Sequence, residues 1–138
     1  MSGCESELML RVYIGDTDAG GIVYHANYLS YMERGRTEWL RVRGFDQSML
    51  LKRNIALVVR SLECRYRLPA RLDDRLCVTT RPGTLSRCTL TFEQRITCDG
   101  KLLFSGAVDI ACIDATRYKP ARWPEDIEAA MTFDPWDA

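Results

Sequence analysis

The chain has 138 residues, with 19 Lys and Arg against 19 Asp and Glu and a single histidine, His25, so its formal net charge at pH 7 is zero. That length fits one domain able to bury a real core without disulfide or metal staples, expected over residues 1–138 with a core at about 7–120 and a C-terminal tail at 121–138. The charge balance lacks the basic surplus of a nucleic-acid binder, and no run approaches the roughly 18 apolar residues of a membrane span, so neither partner is expected.

The N-terminal residues through Glu7 are acidic and lack the apolar stretch of a signal peptide, which leads us to expect a soluble, cytoplasmic protein. In that setting Cys4, Cys64, Cys77, Cys88, Cys98 and Cys112 read as small apolar side chains rather than a disulfide framework. None forms a C-x-x-C pair, and one histidine does not complete a Cys2His2 zinc site, so no metal is expected.

Leu8, Leu10, Val12 and Ile14 alternate with polar or exposed-type positions, the period of a first strand with one buried face. Residues 15–21, Gly-Asp-Thr-Asp-Ala-Gly-Gly, are turn formers and predict a loop. Over residues 26–43 the period changes. Tyr28, Met32, Gly35, Trp39 and Val42 recur at helical spacing, widened by Leu29 and Leu40, with Gly44 as the stop. Gly35 on the apolar face costs about 1 kcal/mol relative to Ala, which points to a close approach of another element there. The remainder reads almost wholly as strands. Residues 56–68 place Val58, Leu62, Cys64, Tyr66 and Leu68 on one side. A shorter strand at 75–80 ends at Pro82-Gly83. Strict alternation runs over 86–98, Asp99-Gly100 supplies a type I′ hairpin, and 101–114 returns. A turn or two of helix at 124–131, with Pro124 near its start, lies in the tail.

One strand, one long helix and four antiparallel strands make an α+β domain, a five-stranded antiparallel sheet wrapped around one long central helix. A single helix does not shield both faces and both edges of such a sheet. An oligomer that continues the sheet across a two-fold axis is therefore expected.

Residues 15–27 concentrate two carboxylates, three glycines and the histidine just before the helix start. A helix N-terminus offers unpaired N–H groups and a positive dipole end to an anion or to a carbonyl oxygen that gains charge during reaction. Glycines let the backbone approach a ligand, and Asp18 is placed to act on the polarised carbon. Acyl transfer or hydrolysis is one reading; an Asx turn, a helix cap and a core histidine is the other.

The run Arg11-Val12-Tyr13, then Asp16-Thr17-Asp18-Ala19-Gly20-Gly21-Ile22-Val23-Tyr24-His25-Ala26-Asn27-Tyr28, then Met32-Glu33-Arg34-Gly35-Arg36-Thr37-Glu38-Trp39-Leu40-Arg41, resembles the YbgC group of acyl-CoA thioesterases, relatives of 4-hydroxybenzoyl-CoA thioesterase with the hotdog fold. The likeness is dense over about 30 residues, and the strand order agrees along the chain to about residue 120. It departs at Gly15, where a bulkier or acidic residue is common, and at Gly35, where Ala is common. The resemblance implies hydrolysis of acyl-CoA, or of acyl held by acyl carrier protein, with coenzyme A as part of the substrate and no separate cofactor. It implies Asp18 as nucleophile or general base, the His25 N–H as polariser of the thioester oxygen, and the His25 ring as a positioner of water or substrate. Gly21 and Tyr24 would shape the pocket. It also implies a homodimer or homotetramer with sites between subunits, and a role in lipid metabolism.

Outside this set, Asp16 is expected to organise the loop by accepting backbone N–H bonds, Glu33 to be a structural charge in the dimer, and Glu38 to pair with Arg34 on the surface. Arg60, Arg65, Arg67, Arg71, Arg75 and Arg87 are candidates for coenzyme A phosphates. Two other hotdog activities compete: a hydratase or dehydratase using His25 with Asp18 or Glu33, and an acyl-CoA-binding module without turnover.

Overall fold

The computed structural model describes residues 5–132; Cys4 and the last six residues of the expected tail lie outside the described residues. In chain order the elements are β1 (Ser6–Arg11), a 3-10 turn (Ile14–Asp16), α1 (Asn27–Val42), α2 (Gln47–Lys52), β2 (Ile55–Tyr66), β3 (Arg75–Leu85), β4 (Thr89–Cys98), β5 (Lys101–Asp114), β6 (Lys119–Pro120) and α3 (Glu125–Thr132). Five strands form an antiparallel sheet in the order β1-β3-β4-β5-β2, and the two-residue β6 adds to β5. Asp99 and Gly100, at φ 49° and 79°, join β4 to β5 as the expected type I′ turn.

α1 lies across the inner face of the sheet and buries Tyr28, Tyr31, Met32, Gly35, Trp39 and Leu40. Trp39 meets Phe92 edge-on at 5.0 Å. The close approach expected at Gly35 is present: a Cβ there would stand 2.7 Å from Thr80 Oγ1 and 2.8 Å from Val78 Cγ1. Beside it Gln94 is buried yet fully engaged, donating to the Met32 carbonyl at 2.8 Å and to Thr80 Oγ1 at 2.9 Å while accepting from Arg36 at 3.0 Å. Leu29 and Val42, expected on the apolar stripe, are exposed, and Tyr31 takes the inward position instead. Glu38 pairs with Arg41 at 3.3 Å rather than with Arg34. One turn of helix accommodates i,i+3 as well as i,i+4, so spacing alone leaves the partner open.

Other expectations are corrected by features that break a local period. β1 ends at Arg11, and Ile14 turns outward in the 3-10 turn, exposed. In β2 the register shifts between Val59 and Ser61, so Leu57 and Val59 share the inner face with Leu62, Cys64 and Tyr66, while Val58 turns to the opposite face. β3 does not stop at Pro82 but runs to Leu85 through a second irregularity. The short α2, capped by Asp46 accepting from the Met49 N–H at 2.8 Å, falls in the stretch between the long helix and the strand at 56–68, where no element was expected. The C-terminal segment is not a mere tail, since Trp123, Ile127 and Met131 are buried in the core.

α1 packs toward β1 and β3, which leaves the inner side chains of edge strand β2 largely uncovered: Val59 is 50% exposed, Leu62 39% and Tyr66 52%. Among the described residues five cysteines are free thiols, of which Cys112 is buried and its thiol pushed up to about 11 by that burial. Among the described residues no helix is long and apolar enough to cross a membrane.

Candidate active site

Residues 17–23 double back as a small hairpin. Thr17 and Val23 form an antiparallel bridge, the Asp18 N–H donates to the Ile22 carbonyl at 2.9 Å, and the Gly21 N–H donates to the Asp18 carbonyl at 3.1 Å. Gly21 closes the turn at φ 78°, a conformation that strains a residue bearing a Cβ. The Asp18 side chain is exposed, and its Oδ1 accepts from the Gly20 N–H at 2.8 Å. The Asx turn considered from the sequence is therefore real, but it occupies one carboxylate oxygen. Oδ2 has no protein donor among the described residues.

The hairpin is tied down on both sides. The Tyr24 N–H donates to the Asp16 carbonyl at 2.9 Å, the Val23 N–H to the Ala70 carbonyl at 2.9 Å, and Ile22 bridges Arg71. Ala70 in turn donates to the buried Tyr28 hydroxyl at 3.0 Å, which locks the loop between β2 and β3 onto the first turn of α1.

The start of α1 is open. No side chain caps it at Ala26, in contrast to the Asp46 cap of α2. Asn27 N–H folds back onto the Tyr24 carbonyl at 2.8 Å, whereas the N–H groups of His25 and Ala26 have no acceptor among the described residues. Unpaired donors therefore stand at the positive end of a 16-residue helix. The exposed His25 ring rests against Tyr24, centroids 4.4 Å apart, so it is not a core histidine.

Asp16 performs the organising role expected of it. Its Oδ2 accepts from the Tyr13 N–H at 2.9 Å. Burial acts to raise the Asp16 carboxyl, but the Tyr13 bond, the Tyr31 hydroxyl, the Asn27 amide and the Arg34 charge together hold it below its ordinary value. Tyr31 Oη and Asn27 Nδ2 are buried and make no hydrogen bond of full geometry, so their attraction to the carboxylate is felt at longer reach. Burial, followed by the Asp16 contact, drives the Tyr31 phenol strongly upward, keeping it neutral.

Residues 12–131 match the family model of the thioesterase-like superfamily. The chain is 43% identical over 123 residues to the acyl-CoA thioesterase YbgC of Haemophilus influenzae, covering 88% of this chain and 90% of that protein. It is likewise 43% identical over 121 residues to the acyl-CoA thioester hydrolase YbgC of Escherichia coli, covering 87% of this chain and 90% of that one. The chain belongs to the YbgC group of the thioesterase-like superfamily. A solved structure, a probable thioesterase from Bartonella henselae, matches with a TM-score of 0.83 at 37% identity, over 87% of this chain and 99% of that one. The curled sheet around α1 is thus the hotdog fold, and this YbgC-type protein is a thioester hydrolase.

In this thioesterase Asp18, Gly21, Tyr24 and His25 fall on one hairpin and the turn that leads into α1. None of them lines either of two concavities on the sheet. A trough of about 860 Å³ lies on the outer sheet face among Glu63, Arg65, Arg81, Glu93 and Arg95. A cavity of about 280 Å³ lies on the inner face, where Glu33 and Arg36 of α1 meet Leu57 and Val59 of β2. Of the six candidate arginines, Arg71 has its backbone against the hairpin, Arg65 lines the outer trough, and Arg60 is committed to Asp109 at 2.8 Å. Sequence reasoning missed Tyr66, whose hydroxyl donates to the His25 carbonyl at 2.7 Å across 41 positions. Nothing in the local pattern of β2 distinguishes that tyrosine from a packing residue.

Proposed function

We propose that this thioesterase hydrolyses acyl-CoA at the junction of the 17–23 hairpin and α1, with Asp18 as the acting carboxylate. The observation that carries the reading is the pairing, among the described residues, of an exposed Asp18, one oxygen of which lacks a protein donor, with a helix start whose His25 and Ala26 N–H groups have no acceptor. A thioester carbonyl directed at those donors gains the stabilisation that its oxygen needs as it becomes negative. Two balanced routes use the same carboxylate. In one, an Asp18 oxygen attacks the carbonyl carbon, coenzyme A leaves as thiolate, and water cleaves the mixed anhydride. In the other, Asp18 takes a proton from water as the water oxygen forms the new bond, and the thiolate leaves with a proton returned to it. Both yield free acid and thiol. Gly21 and Tyr24 shape the entry, and the His25 ring, exposed beside Tyr24, positions substrate or water.

Three further elements belong to this reading: a homodimer formed along the uncovered β2 edge, with pairs of dimers as the larger assembly; a cytoplasmic location with a part in lipid metabolism; and acyl carrier protein as a second carrier of the acyl group. Arg71, adjacent to the hairpin, is our candidate for a coenzyme phosphate.

The test is incubation of the purified protein with short-chain, long-chain and aromatic acyl-CoAs while trapping released thiol. Thiol release from at least one class is expected. Loss of water from a 3-hydroxyacyl-CoA with no thiol release would replace this reading with a dehydratase, and tight binding with neither reaction would replace it with a non-catalytic module.

A further inference from the structure

The start of α1 is held by a ring of contacts that no local motif announces. Tyr66, near the end of edge strand β2, donates its hydroxyl proton to the His25 carbonyl at 2.7 Å. Its ring is fixed edge-on to Tyr28 at 5.3 Å and to Phe104 at 4.9 Å, and those two rings stack on each other at 4.9 Å. Tyr28 closes the ring by accepting from the Ala70 N–H, while the Ala70 carbonyl holds Val23. Two rigid aromatic neighbours thus aim one hydroxyl at one backbone carbonyl.

That carbonyl belongs to the peptide joining His25 to Ala26. The peptide is planar and trans, so fixing the carbonyl oxygen fixes the direction of the Ala26 N–H on the opposite side. A proton donated to the carbonyl also draws electron density through the amide and makes its N–H a stronger donor. Among the described residues the His25 and Ala26 N–H groups have no acceptor, and no side chain caps α1 at Ala26.

We propose that Tyr66 is a positioning residue for thioester hydrolysis, setting the orientation of the His25–Ala26 peptide so that the Ala26 N–H at the start of α1 is presented to the substrate carbonyl beside the His25 N–H. The assignment rests on the thioesterase reading of the site. Tyr66 acts through the backbone and is not itself a catalytic residue. Burial, with smaller contributions from Cys64 and Tyr28, raises its phenol above the ordinary value, so the hydroxyl keeps its proton at neutral pH.

Tyr66→Phe tests this, because the ring and its aromatic contacts remain and only the donor is removed. Against the best acyl-CoA substrate, kcat is expected to fall by about tenfold to a hundredfold, less than the loss from deleting an oxyanion donor outright, with KM within about twofold. A spectroscopic readout separates orientation from general loosening. A ketone analogue, with methylene in place of the thioester sulfur, should show a carbonyl stretch shifted to lower frequency on binding the wild-type protein and a smaller shift in Tyr66→Phe. Unchanged kcat with an unchanged carbonyl shift overturns the assignment, as does a loss carried by KM or accounted for by a lower Tm. If wild-type protein cleaves acyl-CoA and Tyr66→Phe matches it, the Tyr66 assignment alone fails; if wild-type protein cleaves none, the thioesterase reading fails and takes this inference with it.

Discussion

Gly35 of α1 faces Thr80 of β3 so closely that a Cβ on the glycine would stand 2.7 Å from Thr80 Oγ1. The second and third neighbours, Val78 Cγ1 at 2.8 Å and Gln94 Nε2 at 3.0 Å, leave little room to yield, because Thr and Val are stiff at χ1 and Gln94 is held by three hydrogen bonds. Gly35→Ala gains about 1 kcal/mol of helix propensity. Overpacking of about 1–3 kcal/mol offsets it, so the variant is expected to be no more stable than the parent and up to about 2 kcal/mol less. Urea unfolding measures this; a clear gain in midpoint would mean that the helix stands farther from the sheet than described.

The uncovered inner side chains of β2 make the next prediction. Leu62, 39% exposed on an edge strand that α1 leaves largely uncovered, should be buried by a second copy of the chain. The native mass is expected to be a multiple of 15.8 kDa. Leu62→Lys should shift the protein toward monomer in sedimentation or light scattering. A wild-type protein that runs as a monomer at micromolar concentration would contradict the dimer.

Asp16 gives a prediction with a pH sign. Its folded carboxyl lies below the ordinary value of 3.8, so the ionised form is favoured by the fold. The stability it contributes is present in full above that ordinary value and is lost as pH falls through the lower, folded one. Asp16→Asn should therefore destabilise the protein at pH 7 by about 1–2 kcal/mol, the scale of a weakened charge-assisted bond at a partly exposed site. The difference from wild type should shrink as pH falls below 3.8. Chemical unfolding at pH 7 and at progressively lower pH checks it, and a difference that grows toward acid would reverse the assigned sign.

Much of this architecture was legible because it is local. Strict alternation over 86–98 marked β4, which starts three residues later at Thr89, and Asp99-Gly100 marked its hairpin. The helical period over 26–43 marked α1 to within one residue at each end. The loop chemistry was legible for the same reason, since Asp18, Gly21, Tyr24 and His25 fall within eight successive positions. What escaped was either an interruption of a period or a partner distant in sequence. The bulge around Arg60 turns Val58 away from the face that simple alternation assigned to it. Six-residue α2 is too short to show a helical stripe. Glu38 pairs with Arg41 instead of Arg34, and helical spacing offers both partners. Tyr66 meets His25 only because β2 returns past the start of α1, a fact of topology that no window of sequence contains.

Asp18→Asn tests the central claim most directly. The amide keeps an oxygen able to accept from Gly20, so the hairpin and the Tm should be preserved while the attacking or proton-accepting carboxylate is lost. Thiol release from the best acyl-CoA substrate is expected to fall by about a hundredfold or more with the fold intact. Retention of wild-type kcat in Asp18→Asn would contradict the account and move the chemistry to another group.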